Sequence, residues 1–400
     1  MPILGSQSSG AKGAPTTPTI GTATVTNSTT VSIPFTAPES KLPITSYTTT
    51  SSPSIALSTS GTSSPLTVTG TFVSSTTYTF TITATNANGT SSASSSSNSI
   101  TPNPIPRNGY FGGGTDTSET SRIDKVNFYT DTKSTLSESL SATTSDFTGF
   151  ANSGTAGYFA GGWASGSRTS KIEKVSFPGD SRTTVSDTLV AARANPTGFA
   201  NSGTAGYVAG GFDGNGATTF INKLSFPADS RSNLSATLAS GGMAAAGFAN
   251  SGTAGYTAGG STGFGNDNAV NKITFSNDST STITPLFNGT TQPAGFANSG
   301  TAGYVAGGSG SPARVSAIIK YLFSNETKST LGATLATGSY APAGAANSGT
   351  AGYIAGGLGS VGKLSTIDKL SFSNDSRSTL GATLTNPTAY LAGMANSSTL

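Results

Sequence analysis

One phrase, "GFANSGTAGYVAGG" at residues 198–211, returns almost verbatim at 247–260 and 295–308. Its tyrosine falls at Tyr110, Tyr158, Tyr207, Tyr256, Tyr304 and Tyr353, in steps of 48, 49, 49, 48 and 49 residues. A second marker keeps the same beat, a lysine three residues before a phenylalanine: Lys125/Phe128, Lys174/Phe177, Lys223/Phe226, Lys272/Phe275, Lys320/Phe323 and Lys369/Phe372. Two independent markers in six copies establish a repeat. A period of about 20–50 residues confines a chain to solenoids, propellers or arrays.

Each unit reads as four short strands. "GFAN" is followed by the turn "SGTAG", then "GYVAGG", a variable loop, an "INKLSF"-type strand, a polar turn such as "PADSRS" and a last segment such as "NLSATL". Val, Ile, Tyr, Phe and Thr between Gly, Asn, Asp and Ser clusters are strand signals, and no stretch holds a helical period. The ends of the array are offset. "GYFGGG" at residues 109–114 has no "GFAN" strand before it, and the chain closes on "AGMANSSTL" with no "GY" strand after it. The two half-units complement each other, so the expectation is an all-β chain with a six-bladed propeller over 109–400, closed by its C-terminal strand. An open solenoid would instead carry polar caps.

The hydrophobic strand ending in a glycine pair ("GYVAGG") and the downstream aromatic strand ("KLSFPADSRSNL") resemble kelch-type propeller repeats. The kelch tryptophan near the fourth strand is absent here. Residues 14–102 resemble a fibronectin type III sandwich. The pieces that carry the likeness are "VSIPF" before "TAP", "ITSYTTT", "PLTVTG" and "TTYTFTITATNANG". That likeness implies that Tyr78 is a corner tyrosine whose hydroxyl reaches back to the backbone, and that Phe35 stands in for the usual core tryptophan. Independently, two-residue alternation puts Tyr78, Phe80, Ile82 and Ala84 on one face, and Pro34 argues for an edge or bulge. Residues 103–108 read as a proline-rich linker and 1–13 as an arm.

Composition narrows the function classes. Charged residues are 9%, the net charge is +3, and the lysines are spread one per repeat, so nucleic-acid binding is not expected. No run approaches the length of a membrane span, and the first residues lack the pattern of a secretion signal. With no histidine and no cysteine, Ser-His-Asp and Cys-His machinery is excluded, as are almost all zinc sites. Carboxylate-only glycoside hydrolysis remains open. The acids that recur in turns, Asp131, Asp180, Asp229, Asp278, Glu326 and Asp375, are held apart by a ring. No cofactor and no metal are expected; "DGNG" at 213–216 and "GNDN" at 265–268 read as turns rather than calcium loops. The repeated lysine reads as structural, beside Asp124, Glu173 and Asp368 in its strand or paired across blades.

An outward-built chain without a secretion signal fits a virus particle, which leaves its host by lysis. The pairing of a fibronectin-like module with "GYFGGG … IDKVNF … FSNDSRSTL" repeats is similar to tail-fibre and structural proteins of marine cyanophages. That resemblance implies a non-enzymatic virion protein at the particle surface, a tail fibre or appendage, repeated as a homo-oligomer in the particle. A capsid decoration or head fibre, and a bacterial adhesin, are the alternatives. Ile3 and Leu4 in a polar leader suit an arm docking on other virion proteins, alongside the fibronectin-like domain.

Propeller connectivity places the 2–3 and 4–1 loops on one face. The 1–2 turn is nearly invariant, whereas the 2–3 loops ("WASGSRTS", "FDGNGATTF", "STGFGNDNAV") and the 4–1 loops all differ. The candidate partner-binding residues on this face are Trp163, Phe212, Asp213, Phe264, Asn266 and Tyr340, with a host-surface glycan as the expected partner: aromatic rings stack on sugars and polar side chains bond hydroxyls.

Overall fold

Every regular element is a β-strand in the computed structural model, which describes residues 13–27, 29–73, 76–101, 107–263, 265–285, 289–310 and 313–397. Ile3, Leu4 and Phe264 lie outside the described residues. The chain divides into two compact units, Met1–Ile105 and Pro106–Leu400.

In the first unit, Thr24–Asn27, Thr30–Ile33, Leu66–Gly70 and Leu57–Ser60 form one antiparallel sheet, and Ile44–Ser52, Thr79–Asn86 and Gly89–Thr90 another. Alternation along each strand sends one set of side chains inward. Val31, Ile33, Leu66 and Val68 from the first sheet meet Tyr47, Phe80, Ile82 and Ala84 from the second in a single buried core. Pro34, which has no N–H to give a ladder, separates Thr30–Ile33 from Phe35–Thr36, and the latter pairs instead with Thr19–Ile20. Phe35 packs on Tyr47 with ring centroids 4.5 Å apart. The Tyr78 hydroxyl accepts a hydrogen bond from the Val73 N–H at 3.0 Å.

The serine-rich segment after this sheet runs on a different period. Ser91, Ser94, Ser97 and Ile100 are buried and the two residues between each are exposed. The N–H groups of Ser91, Ser94 and Ser97 bond to the carbonyls of Ala84, Ile82 and Phe80 at 2.8–2.9 Å. The three hydroxyls accept the N–H of Ala84, Ile82 and Phe80, each at 3.0 Å. Three residues of one chain thus advance against two of the other, and each serine oxygen takes the strand donor that the mismatch would orphan.

The second unit contains six four-stranded antiparallel sheets. Their inner strands, in chain order, are β1 (Thr148–Asn152), β2 (Thr197–Asn201), β3 (Ala246–Asn250), β4 (Ala294–Asn298), β5 (Ala343–Asn347) and β6 (Ala392–Asn396). Each of β1 to β5 pairs with the "AGY" strand that follows it. The sixth, β6, pairs with Asn108–Gly112 near the start of the unit, setting Tyr110 opposite Met394 and Phe111 opposite Gly393. Neighbouring inner strands touch in cyclic order, β6 meeting both β5 and β1. The architecture is all-β and β-propeller-like.

Two kinds of repeated glycine make this packing close. A Cβ on Gly247 would sit 2.1 Å from the Gly198 carbonyl oxygen, and one on Gly149 2.4 Å from that of Gly393. A Cβ on Gly206 would strike the Phe150 ring of the preceding sheet at 2.1 Å. The "GF" and "AG" of the repeat are therefore the two halves of one inter-sheet contact, with Met394 in the place of phenylalanine against Gly157.

The repeated lysine, tyrosine and turn acid form a second contact. Lys125 and Tyr110 both reach Asp180 of the next sheet; Lys174 and Tyr158 reach Asp229; Lys223 and Tyr207 reach Asp278; Lys320 and Tyr304 reach Asp375; Lys369 and Tyr353 return to Asp131. The five Lys–Asp distances are 2.5–2.7 Å, and Lys272 pairs with Glu326 in the same manner. All six acids have φ of 53–57°, a conformation Asp tolerates better than most side chains. Burial, with the neighbouring carboxylate adding to it, pushes the six tyrosine phenols well up.

Asp124, Glu173 and Asp368 are not the partners of the repeated lysine. Strand alternation turns them to the other side, where they accept the backbone N–H of Thr385, Ser141 and Ala336 from the preceding sheet. The nearly invariant "NSG" turn is a third inter-sheet device. Asn152 accepts the Gly203 N–H, Asn201 that of Gly252, Asn250 that of Gly300, Asn298 that of Gly349 and Asn396 that of Gly154, at 2.7–2.9 Å. The N–H groups of Ser153, Ser202, Ser251 and Ser299 bond to the next serine hydroxyl at 2.9–3.0 Å.

Candidate functional site: the variable face and its axial cavity

Repeated residues are thus consumed in holding the sheets together, and what distinguishes one sheet from another lies on the face of the 2–3 and 4–1 loops. Trp163 is half-buried in the two-residue strand Trp163–Ala164, which pairs with Thr144–Ser145 on one side and Ser167–Arg168 on the other. The Arg168 guanidinium lies 5.7 Å from the Trp163 ring centroid and 5.4 Å from that of Phe212. Two of the sequence candidates from adjacent repeats are therefore joined by a cation that the sequence reading passed over. A guanidinium between two aromatic faces is held by the ring quadrupoles at about 1 kcal/mol per contact.

Beside this stack is a cavity of about 230 Å³, lined by Ser165, Ser167, Arg168, Thr169, Lys171 and Glu173 among others. Glu173 is engaged by the Ser141 N–H and hydroxyl. Asp213 accepts the Asn215 N–H at 2.8 Å, the bond of an Asx turn. Asn266 donates to the Ser309 carbonyl of the next repeat at 2.9 Å, so it fastens two loops together rather than standing free. Arg193 is fully buried, donating to the Val208 carbonyl and to Asn222, while its Nε and Nη1 have no partner. Burial lowers its pKa to about 10.

At the axis, six residues two positions ahead of the inner strands share one backbone state: Asp146, Asn195, Ala244, Gln292, Ala341 and Tyr390 all have φ of 51–60°. Their N–H groups run head to tail. Asp146 donates to the Tyr390 carbonyl, Tyr390 to Ala341, Ala341 to Gln292, Gln292 to Ala244, Ala244 to Asn195 and Asn195 to Asp146, over 2.5–3.1 Å. This is a closed annulus of six hydrogen bonds. Glycine would hold this conformation without strain, yet none of the six is glycine. For Ala, Gln and Tyr the left-handed state costs about 1 kcal/mol or more each.

The side chains of that annulus converge on an axial cavity of about 100 Å³. Gln292 reaches from the fourth position across to the first two, its Nε2 donating to Asp146 Oδ1 at 2.9 Å and Asn195 Oδ1 at 2.5 Å. Its Oε1 is buried and has no partner. Ser145 donates to Asp146 Oδ2 at 3.1 Å and to Glu119 at 3.4 Å. Burial raises the Asp146 pKa against these bonds. Tyr340, another sequence candidate, stands edge-on to Tyr390 with centroids 5.7 Å apart, and burial pushes its phenol up to about 12, with Tyr390 and Asp146 adding to the shift. The opposite mouth is lined by the repeated alanines and serines, such as Ala151, Ala200, Ser202 and Ser251. Sequence reading missed Asp146, Asn195, Gln292 and Tyr390. The position carries five residue types in six copies, alanine twice, and its neighbours vary as well, so no local pattern marked it.

Among the described residues no cluster of three or more carboxylates, with no histidine or cysteine in the chain, is placed to hold a metal ion, and no helix is long and apolar enough to cross a membrane. No family model matches the chain, and no curated protein matches it. Among solved structures the chain is similar to one described as the structure of YjhT, with 14% identity, a TM-score of 0.56, and coverage of 70% of this chain and 98% of that one. At that identity the likeness is one of fold, and it agrees with a β-propeller-like architecture.

Proposed function

We propose that this chain is a non-enzymatic virion protein, a tail fibre or appendage, whose ring presents its variable face to a host-surface glycan. In this reading the second unit is a six-bladed kelch-like propeller and the first a fibronectin type III-like sandwich joining it, with the arm, to other virion proteins. The observation that carries it is the confinement of sequence variation to one face, where Trp163, Arg168 and Phe212 form a half-exposed aromatic stack. Aromatic and arginine side chains outside a core are the residue types that anchor interfaces. Weak single contacts gain strength when many copies engage at once.

The test is binding of the purified protein to host cells and to their extracted envelope glycans. Trp163→Ala combined with Phe212→Ala should lower binding at least about tenfold without shifting the melting temperature by more than a few degrees. Unchanged binding would remove recognition from this part of the face.

A second reading, glycoside hydrolysis, has one observation in its favour: Ser145 bridges the carboxylates of Glu119 and Asp146, and glycosidases work with two carboxyls a few ångströms apart. Release of reducing sugar from the same glycans, lost in Glu119→Gln, would select that reading over the first.

A further inference from the structure

The axial cavity is separate from the Trp163 stack and carries its own chemistry. Its floor is a carboxylate and two amides tied to one another, Asp146, Asn195 and Gln292, with the Gln292 carbonyl oxygen buried and unpaired. One wall is Tyr390, against whose ring Tyr340 packs edge-on from outside the lining. No lysine or arginine lines the cavity, and the acid nearest Asp146 is Glu119, bridged to it by Ser145. A buried acceptor without a donor is unfavourable unless something arriving from outside supplies one. The six ring positions keep one backbone state while carrying five different residue types, three of them strained in that state. Backbone strain retained where glycine would relieve it is a mark of side chains kept for use.

We propose that the axial cavity is a binding site for the terminal ring of a neutral sugar. Its hydroxyls would bond Asp146, Asn195 and the free oxygen of Gln292, and its apolar face would lie against Tyr390. Gln292 bonds Asp146 and Asn195 across the axis, so the sugar seats on this floor rather than threading the axis, which selects a chain end over an internal residue. A carboxylated or sulfated sugar is disfavoured, because its charge would meet Asp146 with no cation in the cavity lining. The inference deepens the glycan-recognition reading and rests on it, but at a different place on the face.

The full chain is titrated by saturation-transfer NMR and calorimetry with the methyl glycosides of glucose, galactose, mannose and N-acetylglucosamine, and with methyl glucuronide. At least one neutral glycoside is expected to bind, the glucuronide not to bind or compete, and Gln292→Ala and Tyr390→Ala each to weaken binding about tenfold or more. Trp163→Ala should leave this binding intact. Should either alanine variant fail to fold, Gln292→Glu and Tyr390→Leu serve instead, with the same loss expected from both. The proposal is overturned if none of the neutral glycosides binds, if the glucuronide binds as well as they do, or if binding survives the Gln292 and Tyr390 changes. Loss of sugar binding in Trp163→Ala would also overturn it. Because cell binding through the Trp163 stack is measured separately, a failure here leaves that reading standing, and the reverse holds too.

Discussion

Asp146 shows how one side chain can be both a liability and a functional group. Folding raises its pKa through burial, so the folded state prefers the protonated acid. The stability that this preference supplies is fully present below the ordinary carboxyl pKa and is lost as the pH climbs through the raised folded value. Asparagine tolerates the left-handed backbone that Asp146 adopts and cannot ionise. Asp146→Asn should therefore raise the melting temperature at pH 7, with the margin shrinking towards pH 3. Thermal melts of both proteins at the two pH values decide it, and a wild type at least as stable as the variant at pH 7 would refute the argument. If the same carboxylate bonds a sugar, the gain in stability comes with weaker binding, the usual exchange at a site held for function.

Single elements depend on contacts that their own sequence only hints at. The serine-rich segment at 91–100 stays on its sheet by lending hydroxyls to strand donors. Ser94→Ala removes the acceptor for the buried Ile82 N–H and should cost about 1–3 kcal/mol, seen as faster exchange of the Ile82 amide. Ser95→Ala, on the exposed side, should leave that rate unchanged. The inner strands are limited by sterics instead. Gly247→Ala would place a methyl 2.1 Å from the Gly198 carbonyl and should cost about 3 kcal/mol or more, because backbone cannot move aside as a side chain can. Gly332 lies in the strand Lys328–Thr334 with nothing within 4 Å of its Cβ position, so Gly332→Ala should be nearly neutral. Equal melting temperatures for the two variants would contradict this account.

At the scale of the whole ring, β6 is the only described inner strand whose sheet partner comes from the far end of the second unit. Removing residues 392–400 would leave Asn108–Gly112 with an unpaired edge of five buried residues and break the axial annulus's neighbouring contacts. An exposed apolar edge is a template for association. The truncated chain should melt at least about 10 °C lower, several kcal/mol at the size of this unit, and should aggregate on light scattering. A monomeric truncation with the original melting temperature would show that the ring does not need closure. Nothing comparable follows from trimming Val361, which is 99% exposed in a loop.

Much of this was legible from residue order alone. The repeat period, the strand content and the alternation of Tyr78, Phe80, Ile82 and Ala84 follow from local patterns, because strand periodicity and turn chemistry act over a few residues, while the pairing of "AGMAN" with "GYFGGG" followed from the complementary half-units at the two ends of the array. The role of the turn acids did not: Asp180 and Lys125 are 55 residues apart in the chain, and only the stacking of one sheet on the next brings them within 2.5 Å. The same holds at the axis. Asp146 and Gln292 are separated by 146 positions and belong to different repeats, yet they share a hydrogen bond of 2.9 Å. Sequence set which residues recur and which vary. Tertiary structure alone decided that five different residue types would face one another across a closed ring, since circular packing joins equivalent positions that no local rule relates.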